Sequence, residues 1–410
     1  MFLTRCLHKH ILATTDPGLE PRYIVLKDDW VFTDIHEGEF KACHHLFLVK
    51  MRTGDVLNII GSFHNLPNGQ QSITLTTLEN LLIHHPDTLL TPSLLASAPN
   101  CQRKPLVTAL VRALSPPTPS LVYGTVLHEV FQSCLQERRW DAPWIEARVD
   151  SALSASFGEL VRASVPLSTA KDEILRRAAG VETFGQRYIG DHPKVDTFFN
   201  LVTIDAYPIL FEREAVLSDT RAARGEAALL AISSLHDVEE DIWSPTYGLR
   251  GKLDASVQAN IEGSQRSLST HPAPFEIKTG RAVAGLEHRA QTMLYSLLMQ
   301  DRYGQPVNLG LLYYTQSEEV ISVPATRPEL RALIGVRNAI AEWMARRFRG
   351  SGHNALNDEG PFLPPSINSQ QLCGRCYALD ACMLYRRVRS PLTRQYSITI
   401  TLTVRRKCDR

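Results

Sequence analysis

Two short stretches, LRGKLDASVQ (249–258) and PFEIKT (274–279), decide the fold. Both alternate between apolar and polar residues, which is the period of a half-buried β-strand. Asp254 lies on the polar side of the first strand, and Glu276 and Lys278 lie on the polar side of the second. If the two strands pair across a loop at 262–274, the pattern predicts that the two carboxylates share one polar face.

One carboxylate from each of two neighbouring strands, on a common polar face, suits the hydrolysis of a phosphodiester. Such a reaction needs a divalent cation that polarises the phosphoryl oxygens and supplies hydroxide, and Mg²⁺ takes oxygen ligands. Asp254 and Glu276 would hold the cation, and the backbone carbonyl of Ile277 would add a ligand. Lys278 would orient the attacking water or accept its proton. For an isolated E-x-K the commoner explanation is a solvated strand face with an ion pair.

A helix is predicted at 286–301, directly after these strands. Its apolar positions are Leu286, Ala290, Met293, Leu294, Leu297 and Leu298. His288, Gln291 and Tyr295 are spaced by three and four residues, so they share a different face of this helix. The order aspartate, E-x-K, polar helix favours a site over a chance ion pair.

The rest of the chain predicts an α/β protein with a central mixed sheet flanked by helices. The segments RYIVLKDDWVF (22–32), HHLFLVKM (44–51), DVLNIIGSF (55–63) and SITLTT (72–77) predict a β-rich N-terminal subdomain. After a Pro-rich break, helices are predicted at 123–140 and within 141–192. A strand at 307–315 and a helix at 328–348 complete the core.

Composition leaves the class of ligand open. The chain has 410 residues, of which 44 are basic and 43 acidic, and its net charge of +1 neither requires nor excludes nucleic acid. No apolar run reaches the roughly 18–20 residues that a membrane span requires, so no membrane is expected. The first fifteen residues carry Arg5 and Lys9 and no acid, a faint likeness to a mitochondrial presequence.

Three of the eight cysteines are crowded together near the C-terminus, as Cys373-x2-Cys376-x5-Cys382. This crowding predicts one metal site for a soft metal. A zinc ion and a 4Fe–4S cluster both take four ligands, and the spacing does not choose between them. The remaining cysteines other than Cys101 are expected to be plain thiols: Cys6, Cys43, Cys134 and Cys408.

The motifs together resemble a known family. GLRGKLDAS, FEIKTG and the helical Q-x-x-x-Y of 291–295 resemble the RecB-like branch of the PD-(D/E)XK nucleases. VEEDIWSPTYGLRGKLDA (238–255), GLLYY (310–314), LLIHHPD (81–87), YGTVLHEVFQ (123–132) and the cysteine spacing resemble the nuclease domain of the eukaryotic DNA replication helicase/nuclease family. The resemblance covers residues 22–387.

This resemblance implies site roles residue by residue. Asp254, Glu276 and, on the first long helix, His128 would bind Mg²⁺ or Mn²⁺, and Lys278 would be the catalytic lysine. Gln291 and Tyr295 would contact the substrate or support the metal. The family also carries a 4Fe–4S cluster whose fourth ligand lies far upstream, and Cys101 in APNCQRKPL matches that place beside Cys373, Cys376 and Cys382. On its own, Cys101 would be a buried small hydrophobe.

The implied function is cleavage of single-stranded DNA near free ends, as in flap processing and end resection. The expected partners are single-stranded DNA and a single-strand-binding protein, and the expected location is the nucleus, with mitochondria second. The family continues into a helicase, but this sequence contains no G-x-x-x-x-G-K-[ST], so no ATPase is expected in this chain. Two rivals remain: a catalytically silent binding module, and a zinc-stapled scaffold whose E-x-K is a surface pair.

The sequence divides into five predicted parts. An N-terminal extension (1–20) precedes the β-rich subdomain (21–114), the nuclease core (121–350) and a cysteine clasp (351–387). A tail (388–410) departs from the family, and YSITITLTV (396–404) within it predicts a strand with a free edge. We hypothesise that this chain is a truncated or alternatively spliced product whose tail is foreign to the family.

Overall fold

The computed structural model describes residues 2–7, 10–14, 22–26, 55–76, 79–111, 117–194, 216–219, 228–263, 267–280, 285–349, 363–367 and 369–389. The predicted segment HHLFLVKM and the predicted strand at 396–404 lie outside the described residues.

The N-terminal part is rich in β-strands, and the first two of them lie in the segment predicted as an extension (1–20). Its strands are β1 (Phe2–Leu7), β2 (His10–Thr14), β3 (Arg22–Leu26), β4 (Leu57–Ile60), β5 (His64–Asn65), β6 (Gln71–Leu75) and β7 (Leu81–His84). Five of them form a sheet in the order β1-β2-β3-β6-β5, and β4 pairs separately with β7. Two short helices, α1 (Pro92–Ala96) and α2 (Arg103–Leu110), lead out of this part.

Four helices follow, where the sequence predicts a helical region. They are α3 (Pro119–Glu137), α4 (Ala142–Ala155), α5 (Phe157–Arg162) and α6 (Leu167–Tyr188). Helix α3 begins four residues before its predicted start because the Thr118 side chain accepts a hydrogen bond from the N–H of Leu121, with Pro119 in the first turn. It ends where Arg138 takes the left-handed conformation, with φ of 53°.

A six-stranded mixed sheet forms the core, which confirms the predicted α/β class. Its strands are β8 (Val216–Asp219), β9 (Ala228–Ser244), β10 (Leu249–Glu262), β11 (Leu268–Lys278), β12 (Leu309–Tyr314) and β13 (Glu319–Pro324). The pair β11–β12 and the pair β13–β8 are parallel, and the other pairs are antiparallel. Because β9 pairs with both β10 and β8, the sheet closes on itself.

The predicted loop at 262–274 is wrong over most of its length. Strand β11 already begins at Leu268 and pairs with β10 from Glu262↔Leu268 to Ala255↔Phe275. Pro272 and Pro274 lie inside this strand, in a stretch that strand β12 does not reach, since β12 pairs only with Phe275–Lys278. A strand with one open edge tolerates proline because the missing N–H has no ladder partner there.

Helices cover the two faces of the sheet. Helices α7 (Leu286–Tyr303), α8 (Arg327–Arg349), α9 (Gln370–Gly374) and α10 (Leu379–Arg389) complete the described chain. Phe275, Ile277 and Tyr313 pack in one core with α3 and α6, and Leu312 and Tyr314 pack in a second core with α7 and α8.

Helix α7 contains every predicted apolar position, but the first of them is not buried. Leu286 is 56% exposed, contrary to the sequence pattern. Fully buried side chains begin at Ala290 of this helix. In the described part of the chain, no helix is long and apolar enough to cross a membrane.

A buried arginine joins the N-terminal part to the core. Arg337 of α8 is fully buried, and its guanidinium donates hydrogen bonds to the backbone carbonyls of His84, His85, Thr88 and Gly248. Burial lowers the pKa of Arg337 to about 9. These carbonyls satisfy a charge that would otherwise be very unfavourable in the interior.

Candidate active site

The two predicted strands pair, and their ladder ends at the candidate site. The last register pair of β10 and β11 is Ala255↔Phe275. After this pair, a side chain takes the place of a backbone hydrogen-bond partner. Asp254 Oδ2 accepts a hydrogen bond from the backbone N–H of Ile277 at 2.7 Å. This bond holds the Asp254 side chain next to Glu276, as the alternating pattern predicts.

Glu276 is a buried carboxylate with incomplete hydrogen bonding. It is 3% exposed. Its Oε1 accepts from Lys278 Nζ at 2.5 Å and from Gln291 Nε2 at 2.7 Å, whereas its Oε2 has no hydrogen-bond partner. Lys278 Nζ also donates to Gln291 Oε1 at 3.1 Å. Glu276 is therefore buried and Lys278 half-buried against α7, and the explanation as a solvated surface pair does not fit.

Tyr295 fixes the position of Gln291. Gln291 Nε2 donates to the Tyr295 hydroxyl at 3.3 Å, and that hydroxyl donates to the backbone carbonyl of Lys252 at 3.0 Å. Gly251 makes this contact possible: a Cβ there would lie 2.8 Å from the ring of Tyr295. Strand β10 and helix α7 thus pack closely enough for the predicted polar face of the helix to reach the carboxylates.

His128 approaches the carboxylates from the opposite side, on α3. Its Nδ1 lies 3.4 Å from Asp254 Oδ1. Gly124 lies one turn earlier on the same helix face, and a Cβ there would be 3.3 Å from Thr279 Oγ1. The absence of a side chain at this turn lets α3 approach the end of β11. The structure therefore brings together Asp254, Glu276, Lys278, Gln291, Tyr295 and His128.

Burial and like charge disturb the titration of the site. Burial, followed by the negative charge of Asp254, raises the pKa of Glu276 to about 7, although Lys278 and His128 act in the opposite direction. Burial lowers the pKa of His128, but the hydrogen bond and charge of Asp254 outweigh it, so the pKa lies above its usual value. Strongly perturbed groups in contact with one another are typical of functional sites.

Three residues next to the site are absent from the sequence prediction: Gln132, Glu239 and Lys252. Gln132 lies one turn after His128 and donates hydrogen bonds to the carboxylate of Glu239 and, at 3.4 Å, to the backbone carbonyl of Asp254. Glu239 has a φ of 52° and pairs with Lys252 at 2.5 Å. The spacing of four residues from His128 to Gln132 is the signal that could have found Gln132.

The backbone of Ile277 has an additional role. Its N–H holds Asp254 in place, a contact that the sequence does not predict. The role of its carbonyl as a metal ligand stays a prediction.

The predicted cysteine ligands come from two distant segments that meet. Cys101 precedes α2, and Cys373, Cys376 and Cys382 lie in or beside α9 and α10. Arg103 Nη1 donates to Cys382 Sγ at 3.6 Å. Burial, together with the nearby Cys382 and Cys376, raises the pKa of Cys101, against the hydrogen bonds from the backbone of Lys104 and Arg103.

None of these cysteines forms a disulfide. All four, and the buried Cys134, are free thiols. Among the described residues, no three cysteine sulfurs lie within 4.8 Å of one another. Burial raises the pKa of Cys134 to about 12, as expected for a plain core thiol.

Comparison with known proteins identifies the family. The model of the family "DNA replication factor Dna2" matches residues 16–259, which is more than half of the chain. The chain belongs to the Dna2 family. The match includes His128 and Asp254 and stops before β11.

Curated relatives of the Dna2 family extend over most of the chain. The fission yeast (Schizosaccharomyces pombe) DNA replication ATP-dependent helicase/nuclease dna2 is 27% identical over 351 residues, which cover 84% of this chain and 22% of the relative. The human DNA replication ATP-dependent helicase/nuclease DNA2 is 26% identical over 382 residues, or 92% of this chain and 32% of the relative. The chain thus spans about a fifth to a third of the length of these Dna2 relatives.

Proposed function

We propose that this chain is a nuclease that hydrolyses phosphodiester bonds of single-stranded DNA with Mg²⁺ or Mn²⁺. The observation that carries the proposal is Glu276 Oε2, a buried carboxylate oxygen without a partner, beside a second carboxylate. The names of the Dna2 relatives, which are helicase/nucleases of DNA replication, support the same reaction.

The donor set fits a divalent cation. Two carboxylates that repel one another are stabilised when a cation lies between them. Asp254, Glu276, His128 and the backbone carbonyl of Ile277 would hold it. A mixed set of oxygen donors with one imidazole suits Mg²⁺ and, better still, Mn²⁺. When bound, the cation polarises the phosphoryl oxygens and lowers the pKa of the attacking water.

Lys278 is the group that would orient the attacking water. Its Nζ is held by Glu276 and Gln291. Since an ammonium has three N–H donors, one remains for the attacking water or a phosphate oxygen. Gln291 and Tyr295 keep this lysine and Glu276 in register with the backbone of β10.

A row of side chains on the outer face of β10 supports single-stranded DNA as the substrate. Arg250, Lys252 and Asp254 lie on the same side of the strand because side chains alternate. Trp243 of β9 pairs directly with Arg250 and is 63% exposed, with the guanidinium 5.8 Å from its ring. An exposed indole stacks on a base without sequence preference, and the cations contact phosphates.

For the cysteines, we propose a 4Fe–4S cluster bound by Cys101, Cys373, Cys376 and Cys382. A zinc ion would also take four thiolates, so the choice of a 4Fe–4S cluster rests on the family resemblance that brings Cys101 into this set. Its role would be structural, because it would tie α2 to α9 and α10.

The biological setting that we propose is DNA flap processing and end resection in the nucleus, with mitochondria as the second location. A single-strand-binding protein would be the partner that presents the DNA. These statements rest on the Dna2 relatives, which are proteins of DNA replication by name.

The decisive experiment is cleavage of an end-labelled single-stranded oligonucleotide by the full chain with Mg²⁺. We expect cleavage by the wild type and by the control Glu262→Gln, which changes a carboxylate at the far end of β10, and no cleavage by Glu276→Ala or Asp254→Asn. A folded, iron-containing wild type that binds the oligonucleotide without cutting it would overturn the proposal in favour of a binding module. Cleavage that survives Glu276→Ala would exclude this site.

A further inference from the structure

A second cluster of metal-ligating side chains lies in the N-terminal part, on elements that the candidate active site does not use. Asp55 precedes β4, His84 ends β7, and His85 follows it. The antiparallel pairing of β4 and β7 brings the segments together, since Leu57 pairs with His84 and the N–H of His85 donates to the carbonyl of Val56 at 2.8 Å.

The backbone at His85 is bent so that two neighbouring imidazoles lie on one side. Successive residues of a strand point to opposite faces. His85 departs from this rule because its φ is 51°, and its ring centroid lies 4.1 Å from that of His84. The left-handed conformation is unfavourable for a residue other than glycine. Arg337 holds both carbonyls of this turn, so the surrounding structure imposes the bend.

Both imidazoles face one buried carboxylate. His84 Nε2 lies 2.8 Å from Asp55 Oδ2, and His85 Nε2 lies 3.7 Å from Asp55 Oδ1. Asp55 is 1% exposed, His84 0% and His85 6%. The Nδ1 atom of His84 is also buried and has no hydrogen-bond partner. Such a concentration of polar groups in a core is unfavourable unless a ligand or a bonding network compensates it.

We propose that Asp55, His84 and His85 bind a Zn²⁺ ion. One donor atom from each residue lies within 4.8 Å of the others. Around a tetrahedral Zn²⁺ with ligand distances of about 2.0–2.2 Å, donor atoms are separated by roughly 3.4 Å. The two distances to Asp55, 2.8 and 3.7 Å, lie on either side of that value.

The chemistry of the donors selects the metal. Two imidazoles and one carboxylate suit Zn²⁺, whereas the donors proposed around Asp254 and Glu276 are mostly oxygens, which suit Mg²⁺ and Mn²⁺. The site therefore differs in preference from the Asp254–Glu276 site. Because it joins β4 to the end of β7, the ion would act as a staple for the N-terminal part, with water as a fourth ligand.

The test is metal content of the purified full chain, measured by elemental mass spectrometry for zinc and iron together. We expect His84→Gln and His85→Gln to lose about one zinc ion per chain, with iron unchanged. The matched control is His64→Gln, an exposed histidine on β5, which keeps the wild-type zinc content. Equal zinc in His84→Gln and the wild type would overturn the proposal.

A second measurement covers variants that fold poorly and zinc that enters the cysteine site. Co²⁺ is added to the metal-free full chain of the wild type and of Cys376→Ser, and visible absorption is recorded. We expect d–d bands without a thiolate charge-transfer band to persist in Cys376→Ser. If all cobalt absorption carries the thiolate band, or disappears in Cys376→Ser, there is no nitrogen–oxygen site and the proposal fails.

Discussion

Two buried charged residues of this chain, Arg337 and Glu276, differ in how completely their hydrogen bonds are satisfied. Arg337 is fully buried, and backbone carbonyls accept hydrogen bonds from each of its three nitrogens. Glu276 is almost as deeply buried, yet its Oε2 has no partner and a second carboxylate lies beside it. A satisfied buried charge stabilises the fold, whereas an unsatisfied one reduces stability. This contrast is expected if Arg337 stabilises the fold and Glu276, as proposed above, binds a metal ion.

The largest effect should come from removing the Glu276 charge. We expect Glu276→Gln to reduce the rate of Mg²⁺-dependent cleavage by about a thousandfold or more, because the cation contributes several kcal/mol to the transition state. We expect its thermal midpoint to equal or exceed that of the metal-free wild type, because the repulsion with Asp254 is removed. Calorimetry beside the cleavage assay checks both; a loss of stability together with activity would make Glu276 a structural residue.

Arg337 should give the converse result. We expect Arg337→Leu to reduce the free energy of unfolding by about 3–5 kcal/mol, because it leaves four buried backbone carbonyls without their donor and each such group costs about 1–3 kcal/mol. Urea denaturation of the full chain measures it. The control is Arg327→Leu, at an exposed position of the same helix, for which we expect a change within about 0.5 kcal/mol. Similar values for the two variants would contradict the structural role of Arg337.

The pH dependence of stability should separate the two charges further. The pKa of Glu276 is raised from 4.5 to about 7 in the folded chain. The folded state therefore binds a proton that the unfolded state has already lost between these values, so stability falls as pH rises from about 4.5 to about 7 and is then level. We expect metal-free wild type, but not Glu276→Gln, to show this component in urea unfolding at a series of pH values. A component of the opposite sign would contradict the raised pKa.

The smallest effect should come from the hydroxyl that supports Gln291. We expect Tyr295→Phe to lower kcat by up to about tenfold with little change in KM, since one hydrogen bond contributes about 0.5–1.5 kcal/mol. Tyr303→Phe on the same helix is the control, because its hydroxyl contacts Glu240 instead. A loss as large as that of Glu276→Gln would mean that Tyr295 touches the reacting groups directly.

Much of the candidate site follows from local patterns in the sequence. Period two places Asp254 and Glu276 on one face, and helical spacing brings Gln291 and Tyr295 together, because strand pairing and helix geometry are local rules. The position of His128 in the site depends on how α3 packs on the sheet. The sequence of the helix does not predict this packing, so only the family resemblance identifies His128. Glu239 is absent from the prediction because its left-handed backbone conformation interrupts the alternation of side chains along the strand.

The failures in the fold have equally specific causes. Pro272 and Pro274 predict a loop, but the open edge of β11 accommodates them. Leu286 fits the apolar spacing of α7 but lies in its first turn, where the side chains are not yet buried. In both places the local structure depends on which other strands or helices pack there. A short stretch of sequence does not contain that information.

Arg337 also sets the order in which this chain can mature. Its partner carbonyl on His84 lies 253 residues earlier in the sequence. At ribosomal rates of about 5–20 residues per second, that separation corresponds to roughly 13–50 s of translation. During this interval the carbonyls of residues 84–88 lack the Arg337 guanidinium. The turn can reach its final structure only after helix α8 has been synthesised. Newly made chains would be most open to chaperones and proteases in that interval.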